Sequence, residues 1–490
     1  MGTKEQRISE IHNELTKMLK DLETQAKSQT RLHEVEGCLF RSLLRLGFQL
    51  LNYYIQLVQH RLKVEREPKH IQGSQVCKKG KRSRKYRSIF GILQIDRDRY
   101  YSAQLKKSYY PLDEYLGLPS SSYSYVLDDW LGYGAVEMDF DQSVKFLNRI
   151  LGQDLCAMQS SRRTYALSTD VDKFYDLSEV EQQAEPYTHL SVGYDGKGIP
   201  IRRAETDRAQ DSPVGRLAKG KKKDVKREAT LSLSSSFTAI KRDPEELIEA
   251  LFTTTSSTEG SQKQKPHRWH EHKHIRAFLS NKPKAIEYGL EQVLRRDPEG
   301  NKPIIVLIDG APSLENTLKI TLSKLQIEHR VEAYVLDFIH VLEYVWKVAN
   351  AHLGENHPGR EGWVKKQARL LLNSQHEKVL EQWNNILQSQ RLSNYKKTLL
   401  KRSISYLTNR PHMIDYKSYL DKGFPITTGA VESACGHFIK SRMEQNAMHW
   451  SKAGAQFMLN IRAVKKNQDW DQYMDFFIQK EQRKLYHAAA

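Results

Sequence analysis

The chain has 490 residues, with 77 Lys plus Arg against 59 Asp plus Glu and a formal net charge of +18. Length allows roughly two to four domains, 39 % apolar content argues against global disorder, and the basic excess favours a polyanionic partner, nucleic acid first. Four distant cysteines, Cys38, Cys77, Cys156 and Cys435, exclude a disulfide framework and a cysteine zinc finger, and the absence of a secretory leader or an apolar run of membrane-spanning length predicts a soluble intracellular protein with no membrane partner.

Residues 4–66 read as helical. Ile8, Ile11, Leu15, Met18, Leu19 and Leu22 recur at spacings of three and four, and a second stretch from Leu32 to Lys63 carries Leu43, Leu44, Leu46, Leu50, Leu51, Ile55 and Val58. A helical hairpin or dimerising coiled-coil arm is expected. The dense basic run Lys78–Arg87 reads as a solvated loop that contacts phosphate through Lys78, Lys79, Lys81, Arg82, Arg84, Lys85 and Arg87. Residues 139–167 resemble a helix-turn-helix: Asp139 to Leu151, a turn at Gly152, then Met158 to Leu167, offering Gln159, Arg162 and Arg163 to a groove.

From 189 to about 340 strands and helices alternate. Leu190–Tyr194 and Ile199–Arg203 flank the turn sequence Asp195-Gly-Lys-Gly198. A polar insertion, 205–227, holds Lys221, Lys222 and Lys223 and reads as a basic loop. A strand Ala229–Thr238, a helix opening at Asp243-Pro244, the strand Ile304–Asp309, a helix from about Ser313 and a strand Glu332–Leu336 follow. Three antiparallel strands, a helix, then strand–helix–strand is the order of an RNase H-like α/β fold. Residues from Phe338 to about Tyr419 read as an all-α insertion, which accounts for the 123 positions between Asp309 and Glu432 better than a loop would.

Three acids carry the chemistry. Asp195 and Asp309 each end an apolar run and precede glycine, and Glu432 lies near the start of a helix. Carboxylates are the hard ligands that Mg²⁺ needs, and a pair of such ions promotes attack on a phosphodiester. Asp337 and His340, at a strand end and the following helix start, form a supporting pair. His270 and His274 have the i, i+4 spacing of metal ligands, but interleaved Lys and Arg favour a basic surface segment. Lys440 and Arg442, after Glu432, are candidates for phosphate contact.

The segment Gly429-Ala-Val-Glu-Ser-Ala-Cys435, with Arg442, Trp450, Gly454, Leu459 and Arg462 after it, resembles the signature of bacterial insertion-sequence transposases of the DDE type, closest to the ISKra group. Tyr194–Arg202, Lys226–Ala229, Leu307–Gly310, Leu336–Trp346 and Tyr110–Leu118 match the same pattern in family order, and the Asp-x-x-His element also resembles one in Mutator-like transposases. The resemblance spans roughly residues 90–465.

That resemblance implies an RNase H-like core with an all-α insertion, preceded by helical and helix-turn-helix DNA-binding regions. It implies Asp195, Asp309 and Glu432 as a catalytic triad holding Mg²⁺, with Mn²⁺ as a substitute. The implied activity is cleavage at the terminal inverted repeats of an element and strand transfer into double-stranded target DNA, by a homodimer or larger assembly in the bacterial nucleoid. The expected layout is an arm over 1–70, a DNA-binding region over 71–170, the core over 185–340, the insertion over 341–420, core helices over 421–470 and a tail over 471–490. The chain departs from the pattern in three places: no cysteine pair flanks Tyr100–Lys107, no Trp follows Asp309-Gly310, and Ala447 and His449 replace Gly and Arg. The alternatives are a DNA-binding relative without catalysis and a structure-selective metallonuclease.

Overall fold

The computed structural model describes residues 4–64, 70–71, 74–178, 187–202, 225–252, 271–389 and 392–486. It divides into two compact units, Met1–Tyr175 with Asp469–Ala490, and Asp176–Gln468.

In the first unit the expected arm is a pair of helices, Lys4–Lys27 and Leu32–Val64. The short pair β1 (His70–Ile71) and β2 (Ser74–Gln75) precedes an antiparallel sheet of β3 (Cys77–Ser88), β4 (Gly91–Ser102) and β5 (Lys107–Tyr109), in the order β3-β4-β5. The basic run is therefore a strand and not a loop. Eight of its positions pair with β4, and the backbone ladder overrides the loop preference of its composition. Leu93 and Ile95 of β4 bury their side chains against Ile55 and Val58 of the second helix.

Helices Tyr125–Glu137, Phe140–Leu151 and Ala157–Leu167 follow. Ser124 and Asp139 cap the first two by accepting the amides of Leu127 and Gln142, and Gly152 ends the second in the left-handed conformation. Leu127, Leu131, Val144, Leu147, Leu151 and Leu155 share one core. The expected tail is a helix, Trp470–Tyr486, fixed within this unit by a 2.6 Å bond from Trp470 Nε1 to Asp129 and by the Tyr473 hydroxyl on the Leu167 carbonyl.

The second unit is α/β. Its five-stranded mixed sheet has the order β10-β9-β6-β7-β8, with β6 (His189–Ile201), β7 (Val225–Phe237), β8 (Glu271–Leu279), β9 (Ile304–Ile308) and β10 (Val331–Leu336). β6, β7 and β8 run antiparallel, whereas β6, β9 and β10 run parallel. Two sequence expectations are corrected here. Asp195-Gly-Lys-Gly198 is not a turn: β6 passes straight through it, paired to β7 at every position from His189↔Phe237 to Ile201↔Val225. The third antiparallel strand is β8, in the histidine-dense segment. The polar insertion likewise ends in strand, with Lys226 and Arg227 on β7.

Helix Lys282–Arg296 packs on β6 and β7, where Tyr194 donates to the Ile286 carbonyl at 2.9 Å. After β10 the chain is helical, as expected for the insertion: Phe338–His352, Arg360–Leu372, His376–Ser389, Asn394–Thr408 and Tyr416–Asp421. Trp383 is fully buried among them. Among the described residues no helix is long and apolar enough to cross a membrane.

Candidate functional site

Strand geometry puts Asp195 on the side of the sheet where the Glu432 helix lies. Side chains alternate along a strand, so Gly193 and Asp195 share a face opposite Tyr194. On that face a Cβ at Gly193 would meet Val431 Cγ2 at 2.5 Å and Leu307 Cβ at 3.5 Å. Glycine at 193 is thus the residue that lets the helix Gly429–Ala434 lie on the strand. It also shows that Leu307 points to this side, with Asp309 two positions later, just past the end of β9. Gly193 and Leu307 are register partners, so Asp195 and Asp309 both lie two positions beyond one paired level.

Glu432 is on the helix that covers Gly193. It is followed at once by a π-helical turn, Cys435–Lys440, the wide geometry often found beside functional sites. The buried Cys435 thiol is raised by burial and then by the negative charge of Asp195 beside it. Burial, and then the negative charges of Asp337 and Asp195, raise Glu432 above the usual carboxylate range, against the opposing pull of His340.

Asp337 is the fixed point. It is fully buried and N-caps the helix Phe338–His352. Its carboxylate accepts the amides of Ile339 at 3.1 Å, His340 at 3.4 Å and Thr428 at 3.0 Å, and the Thr428 hydroxyl at 2.7 Å. His340 Nδ1 lies 2.5 Å from Asp337 Oδ2 and 3.3 Å from Glu432 Oε1. Burial alone would raise Asp337, but the bonds from His340 and Thr428 outweigh it and hold the carboxyl low. The same bond, working against burial, lifts His340 to about 9. Near neutrality an imidazolium therefore sits between two carboxylates.

Asp337, His340 and Glu432 offer ligand atoms within 4.8 Å of one another. The expected triad is gathered less tightly. Asp195 joins Glu432 through charge and through Cys435, whereas the Asp309 carboxylate turns onto the Ala311 amide at 2.9 Å. Sequence reasoning had Asp337 and His340 as supporting residues, and geometry makes them the centre of the cluster. It missed Thr428 and Cys435, although both stand within four residues of Glu432.

The side chains expected to meet DNA divide into two kinds. Lys78, Lys79, Lys81, Arg82 and Lys85 are exposed on β3, Gln159 and Arg162 on the helix Ala157–Leu167, and Lys440 on the π-helical turn. Three arginines are corrected. Arg84 is turned inward onto Asp113 and the carbonyls of Pro119 and Ser121. Arg163 makes a two-bond ion pair with the buried Asp128 at 2.8 and 2.5 Å. Arg442 is fully buried, with its guanidinium 5.0 Å from the Trp450 ring centre. Arg87 is half-buried and donates to the Asp154 carbonyl at 2.9 Å. Lys221, Lys222, Lys223 and His270 lie outside the described residues. His274, on β8, is half-buried with Nε2 2.7 Å from the Tyr288 hydroxyl, and desolvation, aided by Arg296 and Arg276, lowers it to about 3; it belongs to no metal-binding group among the described residues.

No protein-family model matches the chain, and no curated protein matches it in sequence.

Proposed function

We propose that this chain is the DNA transposase of an insertion sequence, cleaving element ends and joining them to target DNA with Asp195, Asp309 and Glu432. The observation that carries the reading is the meeting of Asp195, Glu432, Asp337 and His340 on one side of a mixed sheet. The sheet order supports an RNase H-like core, since three antiparallel strands continue into two parallel ones and a helical stretch separates β10 from the Glu432 helix.

The donors fit Mg²⁺ or Mn²⁺. Carboxylates dominate, and the charged His340 between Asp337 and Glu432 is itself a sign that this spot calls for positive charge. Asp195, Asp309 and Glu432 would hold the ions, with Asp337 positioned beside them. When bound, such ions activate a water or a 3′-hydroxyl and steady the charge that develops on phosphate. The protein's own part is to fix the carboxylates before substrate arrives: β6 and β9 set the spacing of the aspartates, and Thr428 and His340 hold Asp337. Exposed Lys and Arg of β3, with Gln159 and Arg162, supply phosphate contacts to double-stranded DNA, and paired ends call for a homodimer or larger assembly.

The test uses duplex DNA carrying the sequences that flank the coding region, with Mg²⁺ or Mn²⁺. Asp195→Asn, Asp309→Asn and Glu432→Gln should each abolish cleavage and leave DNA binding intact. Cleavage retained by any of the three removes that residue from the triad. Cleavage without joined donor–target products would make the chain a metallonuclease, and DNA binding without cleavage would make it a binding protein.

A further inference from the structure

The turn that carries Asp309 is gripped by the helical insertion. Tyr406, on the helix Asn394–Thr408, donates its hydroxyl to the Asp309 carbonyl at 2.8 Å. Arg410 donates to the Gly310 carbonyl at 2.7 Å and to the Tyr406 carbonyl at 3.1 Å, and its Nε pairs with Glu315 on the helix Pro312–Leu325. Both side chains are buried, and the Tyr406 ring stacks on Tyr344 with centroids 4.0 Å apart and planes at 20°. The fit is close enough to dictate sequence. Gly310 has φ +80°, and a Cβ there would come within 3.0 Å of the Tyr406 ring and hydroxyl and 2.8 Å of Leu336.

β9 delivers Asp309 to the site face, but a strand end alone leaves the following turn free to rotate. Here the carbonyls of residues 309 and 310 are both fixed by donors from about 100 positions downstream, and one carboxylate oxygen is fixed by the Ala311 amide. Groups that lock the orientation of a ligand raise its affinity, because less freedom is lost when the ion binds.

We propose that Tyr406 and Arg410 are positioning residues that set the Asp309 carboxylate, so that the helical insertion tunes cation affinity through the turn that follows β9. The inference rests on the reading of Asp309 as a cation ligand. Tyr406→Phe removes the hydroxyl and keeps the stacked ring. Arg410→Lys keeps the charge but cannot bond Gly310 and Glu315 together.

The experiment is calorimetric titration of the full chain with Mn²⁺ alone, with thermal unfolding recorded in parallel and Asp309→Asn as the reference. Tyr406→Phe and Arg410→Lys should each weaken Mn²⁺ binding about tenfold while unfolding stays cooperative. In cleavage assays the Mn²⁺ concentration for half-maximal rate should rise, with the rate at saturating Mn²⁺ kept. If Asp309→Asn weakens Mn²⁺ binding and both other variants bind like the parent, the positioning role is overturned while the ligand reading survives. If Asp309→Asn itself leaves Mn²⁺ binding unchanged, both fall.

Discussion

On β3, Lys79, Lys81, Arg82 and Lys85 stand in solvent on the edge strand of a three-stranded sheet. Around Asp337, five donors from Ile339, His340 and Thr428 converge on a single buried carboxylate. The first region spends nothing on holding its charges, so one cation can stand in for another, and the lysines also deter the open edge from pairing with a second sheet. The second region defines each atom's partner, so no member can be exchanged. A polyanion needs only the first arrangement, whereas placing an ion to within a few tenths of an ångström needs the second.

The largest test of that contrast is Asp337→Ala. It strands the Thr428 and Ile339 amides and leaves His340 facing Glu432 only, so it should cost about 3–5 kcal/mol in urea unfolding. Lys81→Ala should stay within about 0.5 kcal/mol. Equal losses in the two variants would break the comparison.

Next in size is DNA binding. Replacing Lys79, Lys81, Arg82 and Lys85 together by Ala should weaken duplex binding irrespective of sequence and lower the slope of log affinity against log salt by about one per cation lost. Arg84→Ala should instead lower stability, because it leaves Arg97 as the remaining arginine on Asp113 and strips the carbonyls of Pro119 and Ser121 of their donor, and leave the slope unchanged. A slope that responds to Arg84 more than to the exposed four would reverse the assignment.

The smallest effect concerns pH. His340 is raised above its ordinary 6.5, chiefly by its bond to Asp337. In protein free of divalent ions, the stability it contributes is complete below pH 6.5 and lost as pH rises through about 9. The gap in unfolding free energy between the parent and His340→Gln should therefore be widest near pH 6, on the order of 1–2 kcal/mol after screening, and shrink above pH 9. A gap that does not change with pH would remove the ion pair.

Much of this architecture was legible where pattern and packing agree. The arm's second helix, read as Leu32 to Lys63, runs Leu32–Val64, because Leu51, Ile55, Val58 and Leu62 recur with the period of the face packed on β4, while Leu43 and Leu50 stay exposed. The strands read as Ile304–Asp309 and Glu332–Leu336 run Ile304–Ile308 and Val331–Leu336, the first apolar throughout and the second apolar but for Glu332. Failures came where a partner strand decides. Asp195-Gly-Lys-Gly198 has turn chemistry, yet β7 pairs with all of it. β8 hides in a polar run because its first three residues are exposed and only Ala277 and Phe278 are apolar and buried. Of the proposed site, Asp195, Asp309 and Glu432 were expected from local signals, and so was Asp337-x-x-His340, since capping and i, i+3 spacing are local. Thr428 on Asp337 and Tyr406 on Asp309 bridge 91 and 97 positions, and no local pattern encodes such contacts.

The order of segments has a consequence for synthesis. Strands β6 to β10 leave the ribosome well before residue 428, so for the span of the helical insertion the nascent chain carries three aspartates without Thr428, Glu432 or Cys435. Asp337 lacks two of its five donors until the late segment docks. A truncated product therefore keeps its cationic strand and lacks the segment that completes the Asp337 cluster; under the proposed function it should bind DNA without cleaving it.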